Sequence, residues 1–294
     1  MKKISDKNLT WILILVLAVI WGSSFILIKR GLVAYTPLQV GAIRIFVSFL
    51  CVFPFVAGSF TVIEKSKWKF LLLTGLLGNG IPAVLFPLAQ TNISSAVAGM
   101  INTMTPLFTF VVGLSLFGMI AGRNKIAGLL IGLAGALILI NTRSSPGPGL
   151  DGNPLYSWYI VLATVCYAFS VNILRYKLTE IGSVRNTGFA LMFAGIPMGL
   201  LLFSTDFLWR LQHLPGAGMS LFYVVLLGVL STALSTVLFN ELIKIAGALT
   251  ASSVTYLIPI VATLWGLVEN EEFNLLHILG LSAILIGVYL INKK

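Results

Sequence analysis

The sequence predicts an all-helical, polytopic membrane protein of ten transmembrane helices, arranged as two inverted five-helix repeats. Composition, the alternation of charge along the chain and the similarity of the two halves carry this prediction. Of the 294 residues, 58% are hydrophobic and 10% are charged, and the mean hydropathy is +1.01. Soluble globular proteins carry about 25% charged residues. The composition therefore excludes an ordinary cytosolic domain, and the length leaves no room for a separate soluble catalytic domain.

Apolar runs separated by charged residues or by Gly/Pro turns define the ten helices. A membrane-spanning helix needs about 20 predominantly apolar residues. The first run follows Lys2 and Lys3, is too long for the apolar region of a signal peptide and precedes no small-residue cleavage site, so we expect it to be retained. The predicted spans are 9–28, 37–57, 69–89, 94–118, 124–141, 156–175, 186–205, 219–240, 247–268 and 275–292.

Basic residues alternate between the two sides of the predicted bundle. Of the 19 Lys and Arg residues, 14 fall on one side and four on the other, while Arg44 lies inside a helix. Cytoplasmic loops carry the excess of Lys and Arg, so both termini are predicted to be cytoplasmic. The net charge of +10 is interpreted as loop charge, and no nucleic-acid partner is expected. Cys51 and Cys166 lie in apolar runs and predict no disulfide.

A Gly/Pro-rich stretch divides the chain into two related halves. The predicted units are a first repeat at 1–141, an extracytoplasmic linker at 142–155 and a second repeat at 156–294. Because each half holds five helices, an odd number, the second half enters the membrane with the opposite orientation. Inverted repeats of this kind recur in secondary transporters, which bind substrate near the bilayer midplane between the repeats.

Three blocks of residues relate the halves in the same order. Residues 93–106 match 246–259 at an offset of 153, and Trp21 matches Tyr167 at an offset of 146. In the last helices an offset of 152 matches Gly128 with Gly280 and Gly135 with Gly287. Three blocks in one order make a chance match improbable.

The motifs resemble those of the drug/metabolite transporter superfamily, specifically its EamA type with two five-helix units. Residues 18–25 read AVIWGSSF, similar to the family's opening pattern, and 90–107 and 241–261 resemble its third-to-fourth helix turn in each half. The resemblance covers nearly the whole chain. It implies ten helices, cytoplasmic termini, a central cavity and transport of small metabolites, often efflux of amino acids or related compounds.

The family pattern also places a Glu near the end of the fourth helix of each half. Glu271 or Glu272 matches it in the second half, whereas Met119 and Ala121 stand in the corresponding part of the first half. The resemblance therefore assigns this acid no mechanistic role here.

Arg44 is the one basic residue that loop charge does not explain. It lies about seven residues, or roughly 10 Å, into the second helix at 1.5 Å per residue, where a charge costs at least ~2.5–3.5 kcal/mol. The side chain could extend to the interface or pair with a buried carbonyl. Alternatively, its planar guanidinium would bind the carboxylate of a substrate inside a cavity.

Further polar and aromatic residues inside predicted helices complete the candidate site. Helices four and nine carry polar stripes at the same repeat offset, which favours a shared cavity over simple helix–helix contacts. Asn79 lies in the Gly-rich stretch 75–82, which predicts a hinge or a broken helix, the usual position of a transporter site. The predicted substrate-binding residues are Arg44, Trp21, Asn79, Asn102, Thr105, Tyr167, Asn172, Ser252 and Tyr256.

The function predicted from these features is transport of small metabolites such as amino acids, as an exporter or facilitator, by alternating access at a midplane cavity. The chain contains no H-E-x-x-H or G-x-S-x-G motif, and no enzymatic activity, cofactor or metal is expected. A channel is a less favoured alternative, since channels tend to assemble symmetric pores. The expected location is the bacterial cytoplasmic (inner) membrane, as a monomer or alternatively a dimer.

Coupling to protons usually needs a carboxylate within the membrane. The nearest candidate is Glu241, at the predicted cytoplasmic end of helix eight, where a solvated or capping role is expected. The sequence therefore favours a facilitator driven by the substrate gradient, with proton-coupled drug or metabolite efflux as the alternative.

Overall fold

The computed structural model describes residues 6–119, 122–142, 152–251, 254–271 and 273–292. Within these ranges the chain forms helices and no β-strand. The α-helices are α1 (Asp6–Gly31), α2 (Pro37–Val52), α3 (Trp68–Gly75), α4 (Ile81–Gln90), α5 (Ser95–Asn102), α6 (Thr105–Leu116), α7 (Arg123–Asn141), α8 (Ser157–Lys177), α9 (Ser183–Phe203), α10 (Phe207–His213), α11 (Ala217–Leu226), α12 (Ser235–Ala251), α13 (Val254–Val268) and α14 (Leu275–Asn292).

Every predicted span coincides with an apolar helical stretch. Two shorter apolar helices, Val254–Val268 and Leu275–Ile291, occupy the positions of the predicted ninth and tenth spans. Among the described residues, eight stretches are long and apolar enough to cross a membrane: Asn8–Gly31, Pro37–Phe55, Lys65–Gln90, Ser95–Leu116, Asn124–Asn141, Pro154–Lys177, Ser183–Phe203 and Ala217–Ala246. The protein is therefore a multi-pass membrane protein.

Three features of the predicted spans differ from the structure: the end of the eighth helix at 240, the start of the ninth at 247 and the continuity of the helix 94–118. The eighth helix was expected to end at residue 240, but α12 continues to Ala251, because the residues after Glu241 include no proline and a single glycine does not stop a helix. The predicted helix 94–118 is interrupted at residues 103–104. There Pro106 stands in the first turn of α6, since proline lacks an N–H and fits a helix start better than a helix interior.

Corresponding helices of the two halves pack against each other. The most extensive contacts join α7 with α14 and α2 with α9. Around them, α1 of the first half packs on α12 and α13 of the second half. Its repeat counterpart α8 packs on α4 and α6 of the first half, so the two halves make equivalent contacts with each other. The bundle therefore has an approximate two-fold relation between the repeats.

The paired helices run antiparallel. An added Cβ at Gly128 would lie 2.6 Å from the carbonyl oxygen of Gly287, and one at Gly135 would lie 2.6 Å from that of Gly280. Since the earlier glycine of α7 meets the later glycine of α14, the two helices have opposite directions, as inverted repeats require. These glycines serve contacts within the chain, where they let the backbones approach closely.

Each half contains one π-helical segment, in which the helical turn is wider than in an α-helix. The first segment, Leu76–Gly80, joins α3 to α4, and the second, Leu227–Leu234, joins α11 to α12. The repeat offset of 153 places the first segment on 229–233, inside the second. The expected break near Asn79 is therefore a continuous helix with a widened turn, a feature often found at functional sites.

Candidate functional site

A cavity of about 190 Å³ lies between the two halves. Its walls come from α1 to α6 and the first π-helical segment in the first half. In the second half they come from α8, α9, α12, α13 and the second π-helical segment. Six of the nine predicted site residues line it: Trp21, Arg44, Asn79, Asn102, Thr105 and Tyr167. The tertiary structure thus brings residues of both repeats to one central space.

Of the other three predicted residues, Asn172 and Tyr256 are not among the described residues that line this cavity. Asn172 is buried behind the wall, where its amide nitrogen donates to the carbonyls of Thr109 (3.0 Å) and Ala168 (2.9 Å). It ties α8 to α6 and is not among the lining residues. Tyr256 also lies outside the lining, although its neighbour Thr255 is part of it. Ser252 lies outside the described residues.

Arg44 is the only charged residue in the described cavity lining. Its side chain is only 9% exposed, and its Nε donates to the hydroxyl of Thr232 at 2.7 Å. Among the described residues no acidic side chain lies within ion-pair distance of the guanidinium. The guanidinium is thus buried inside the bundle and does not extend to its surface. A buried charge without a counter-ion is costly, so this group favours an anion or ordered water in the cavity.

The backbone around Arg44 is held tightly against the second π-helical segment. Ser48, one turn further along α2, donates to the carbonyls of Arg44 (2.6 Å) and Gly228 (2.8 Å). An added Cβ at Gly228 would lie 2.8 Å from the Arg44 carbonyl oxygen. The glycine therefore allows the close approach that positions the guanidinium.

Trp21 joins α1 to the same segment. Its indole nitrogen donates to the carbonyl of Ser231 at 3.0 Å, and the Ser231 hydroxyl donates back to the carbonyl of Ile20 at 3.3 Å. Its ring packs against Phe239, with centroids 5.1 Å apart. The indole is thus a fixed apolar surface of the cavity.

Tyr167 occupies the repeat position equivalent to Trp21. Its ring stacks on Phe86 with centroids 6.0 Å apart, and it is close enough to Arg44 for the two side chains to interact electrostatically. Aromatic faces and one cation therefore lie together in the cavity.

Amide groups supply hydrogen-bond acceptors. The Oδ1 atoms of Asn102 and Asn186 are buried without a hydrogen-bond partner among the described residues. Asn240 donates to the hydroxyl of Thr187 at 3.0 Å and joins α12 to α9. Buried acceptors normally find a partner, so these groups would be satisfied by water or by a donor on a ligand.

The sequence prediction missed several polar residues of the lining. The signal that could have found them was the occurrence of Asn, Ser and Thr within predicted apolar spans, since such residues need partners in a membrane. The missed residues include Asn186, Thr187, Ser231, Thr232 and Asn240.

Known proteins share this architecture. The model of the family described as EamA-like transporter family matches residues 8–141 and 155–293. A crystal structure of a protein with 17% sequence identity superimposes with a TM-score of 0.62, covering 96% of this chain and 95% of its own. At that identity the structural likeness concerns the fold alone.

Relatives come from plants, bacteria and archaea. The chain is 27% identical to a chloroplastic WAT1-related protein of Arabidopsis thaliana, over 97% of this chain and 69% of the relative. It is 26% identical to the uncharacterized inner membrane transporter YedA of Escherichia coli K12, over 94% of this chain and 88% of the relative. An uncharacterized transporter of Archaeoglobus fulgidus is 24% identical, over 97% and 99%. The family model matches both halves of this cavity-forming bundle, and the chain belongs to the EamA-like transporter family.

Proposed function

We propose that this transporter moves small amphoteric metabolites, such as amino acids, by alternating access of the central cavity, as an exporter or facilitator. The observation that carries the proposal is the buried guanidinium of Arg44, which has no acidic partner among the described residues and faces a cavity. Arg binds carboxylates through a planar pair of N–H donors.

The remaining lining fits the rest of such a substrate. Asn102 and Asn186 offer unpartnered acceptors for an ammonium or other N–H donor. Trp21 and Tyr167 offer aromatic surface for an apolar side chain. A polyanion such as a sugar phosphate would require further buried cations, and Arg44 is the only one in the described lining.

The proposal includes ten spans, cytoplasmic termini, two inverted units at 1–141 and 156–294, and the bacterial cytoplasmic membrane as location. The 14 basic residues on one side support the orientation. The similarity to YedA, named as an inner membrane transporter, supports the location.

Facilitated transport is favoured over proton coupling because no Asp or Glu is among the described lining residues. Glu241 is half-exposed, accepts from the Ser183 hydroxyl at 3.0 Å and pairs with Lys244 at 3.8 Å. It therefore sits in a surface network, as a solvated carboxylate would.

Counterflow into proteoliposomes tests the proposal. Vesicles loaded with one unlabelled amino acid are given traces of labelled amino acids, their carboxamides and nucleosides. We expect accumulation of amino acids and little accumulation of the carboxamides, without an imposed pH gradient. Equal transport of carboxamides would contradict the role of Arg44, and dependence on a pH gradient would favour proton-coupled efflux.

A further inference from the structure

An ion-pair network closes one end of the bundle, where α1 ends and α13 leads into α14. This end is called the outer end, following the predicted orientation, and the opposite one the inner end. Lys29, in the last turn of α1, lies 3.2 Å from Oε1 of Glu271 and 3.6 Å from Oε2 of Glu269. Arg30 also pairs with Glu269. The pairs join segments about 240 residues apart in the sequence.

Glu271 is buried within this network, with a side chain that is 0% exposed. Its two oxygens accept the backbone N–H groups of Ser95 (2.9 Å) and Ala96 (3.1 Å), at the first turn of α5. A carboxylate is stabilised there by the unpaired N–H groups and the helix dipole. One side chain thus links α1, α5 and the turn between α13 and α14.

The network lies directly beyond the cavity wall formed by α1. Gln90 donates to the carbonyl of Phe25 at 2.9 Å and to the hydroxyl of Ser95 at 3.0 Å. Ser24, Phe25 and Ile28 line the cavity. Separation of α1 from α5 at this point would therefore open the cavity to the outer end.

The inner end carries an equivalent turn with different chemistry. Gly266 and Gly113 match at the repeat offset of 153. An added Cβ at Gly266 would lie 2.7 Å from Oε2 of Glu271, and one at Gly113 would lie 2.2 Å from Sδ of Met119. The backbone hydrogen bonds also correspond. The N–H of Glu271 donates to the carbonyl of Gly266 (2.8 Å), and the N–H of Met119 donates to the carbonyl of Gly113 (3.0 Å). A thioether thus stands where the outer turn has a carboxylate.

The basic partner differs as well. Arg175, which matches Lys29 at the offset of 146, is exposed, and its guanidinium lies 5.2 Å from the ring centre of Tyr176. No acidic partner of Arg175 occurs among the ion pairs of the described residues. The inner end does carry a pair between the halves, Lys67 with Glu180 at 3.5 Å, but Glu180 is 82% exposed. Among the described ion pairs the buried carboxylate therefore belongs to the outer end.

We propose that Lys29 and Glu271 form a latch that holds the outer end closed, so that the cavity of the resting transporter opens toward the inner end. The inference rests on alternating access in the proposed function. Removing Lys29 leaves the carboxylate of Glu271 buried without a cationic partner and held only by the N–H groups of Ser95 and Ala96, which is unfavourable for the closed state. The latch thereby favours loading of substrate from the cytoplasmic side, as export requires.

Thiol labelling tests the latch without any substrate. Cys51 and Cys166 are replaced by Ala, and Ser24→Cys serves as the reporter in the cavity. A membrane-impermeant maleimide is applied to right-side-out and inverted vesicles. In the parent protein we expect labelling mainly in inverted vesicles. Lys29→Met should raise the labelling rate in right-side-out vesicles about tenfold or more, since the loss of a buried pair shifts the population of closed states.

Two further variants make the test decisive. Lys29→Gln should act like Lys29→Met, and both leave the bonds from Glu271 to α5 in place. The control, Lys244→Met, breaks the half-exposed pair with Glu241 at the inner end and should leave outer labelling unchanged. Equal outer labelling of parent and Lys29 variants would overturn the latch. Labelling reports accessibility whether or not amino acids are carried. A failure of the latch is therefore distinguishable from a failure of the proposed substrate class.

Discussion

The two π-helical segments occupy equivalent places in the repeats but are held by different means. Leu76–Gly80 follows a close backbone contact, since an added Cβ at Gly75, the residue before the segment, would lie 2.2 Å from the carbonyl oxygen of Ala190. Leu227–Leu234 combines a close approach at Gly228 with side-chain hydrogen bonds from Trp21 to the Ser231 carbonyl and from Arg44 to the Thr232 hydroxyl.

This difference shows how a symmetric scaffold supports an asymmetric site. Both halves use the same backbone geometry, which exposes helical backbone and small side chains to the cavity. Only the second segment contacts the guanidinium and the indole. We therefore expect substitutions at the partners of the second segment to alter recognition, and a larger residue at Gly75, directly before the first segment, to alter packing.

Replacing the cation should have the largest effect on transport. Arg44→Ala is expected to lower kcat/KM for amino acids about 10- to 100-fold, because a hydrogen bond to a charged group contributes about 1.5–3 kcal/mol. Arg44→Lys should recover part of this loss, since it keeps the charge without the planar fork. Initial rates in proteoliposomes measure both.

Arg175→Ala is the matched control, since this exposed Arg lies outside the cavity lining. Its rates should equal those of the parent. If Arg44→Ala transported amino acids with unchanged KM and kcat, recognition would not be concentrated at the second π-helical segment.

Enlarging Gly75, the last residue of α3 directly before the first π-helical segment, should mainly reduce stability. Gly75→Ala forces the backbones of α3 and α9 apart, and overpacking of this kind costs about 1–3 kcal/mol. Gly218→Ala, whose Cβ would meet nothing within 4 Å, should be neutral or slightly stabilising. Thermal unfolding in detergent compares them, and equal melting temperatures would refute the packing role of Gly75.

A smaller effect is expected at the indole of Trp21. Trp21→Phe removes the donor to Ser231 while keeping an aromatic surface, so a loss of about 1 kcal/mol is expected, equivalent to a roughly five-fold change in KM. Trp209→Phe, at an exposed position of α10, is the control. Identical KM values for the two variants would show that this bond does not shape the site.

The smallest effect is expected at Glu241. Because its ion pair with Lys244 is half-exposed, Glu241→Gln should change stability by less than about 1 kcal/mol. Transport should also respond to an imposed pH gradient as the parent does. A selective loss of that response in the variant would assign proton coupling to the inner end and contradict facilitated transport.

Much of the fold could be predicted from local sequence features. Apolar runs of membrane-spanning length and Gly/Pro turns locate the helical stretches, because the bilayer requires every backbone group to be paired within a helix. The repeat offsets matched Gly128 with Gly280 and Gly135 with Gly287. In the structure these glycines lie where α7 and α14 cross, with Gly128 against Gly287 and Gly135 against Gly280.

The site was only partly predictable. Polar residues within apolar spans identify candidates, but the direction in which a side chain points depends on how its helix packs. Asn172 and Arg44 are both intramembrane polar residues, yet Asn172 bonds to α6 and only Arg44 faces the cavity. Neither periodicity nor spacing separates the two cases.

The sequence by itself thus determined that this chain is a multi-pass helical membrane protein with two related halves, because composition and repeat offsets are read from the order of residues and need no spatial contact. Only the tertiary structure decided that Leu227–Leu234 forms a π-helical turn, that Asn186 joins the cavity, and that Glu271 meets Lys29. Each of these depends on a partner far along the chain. Long-range packing and the burial of unpaired polar groups select such partners.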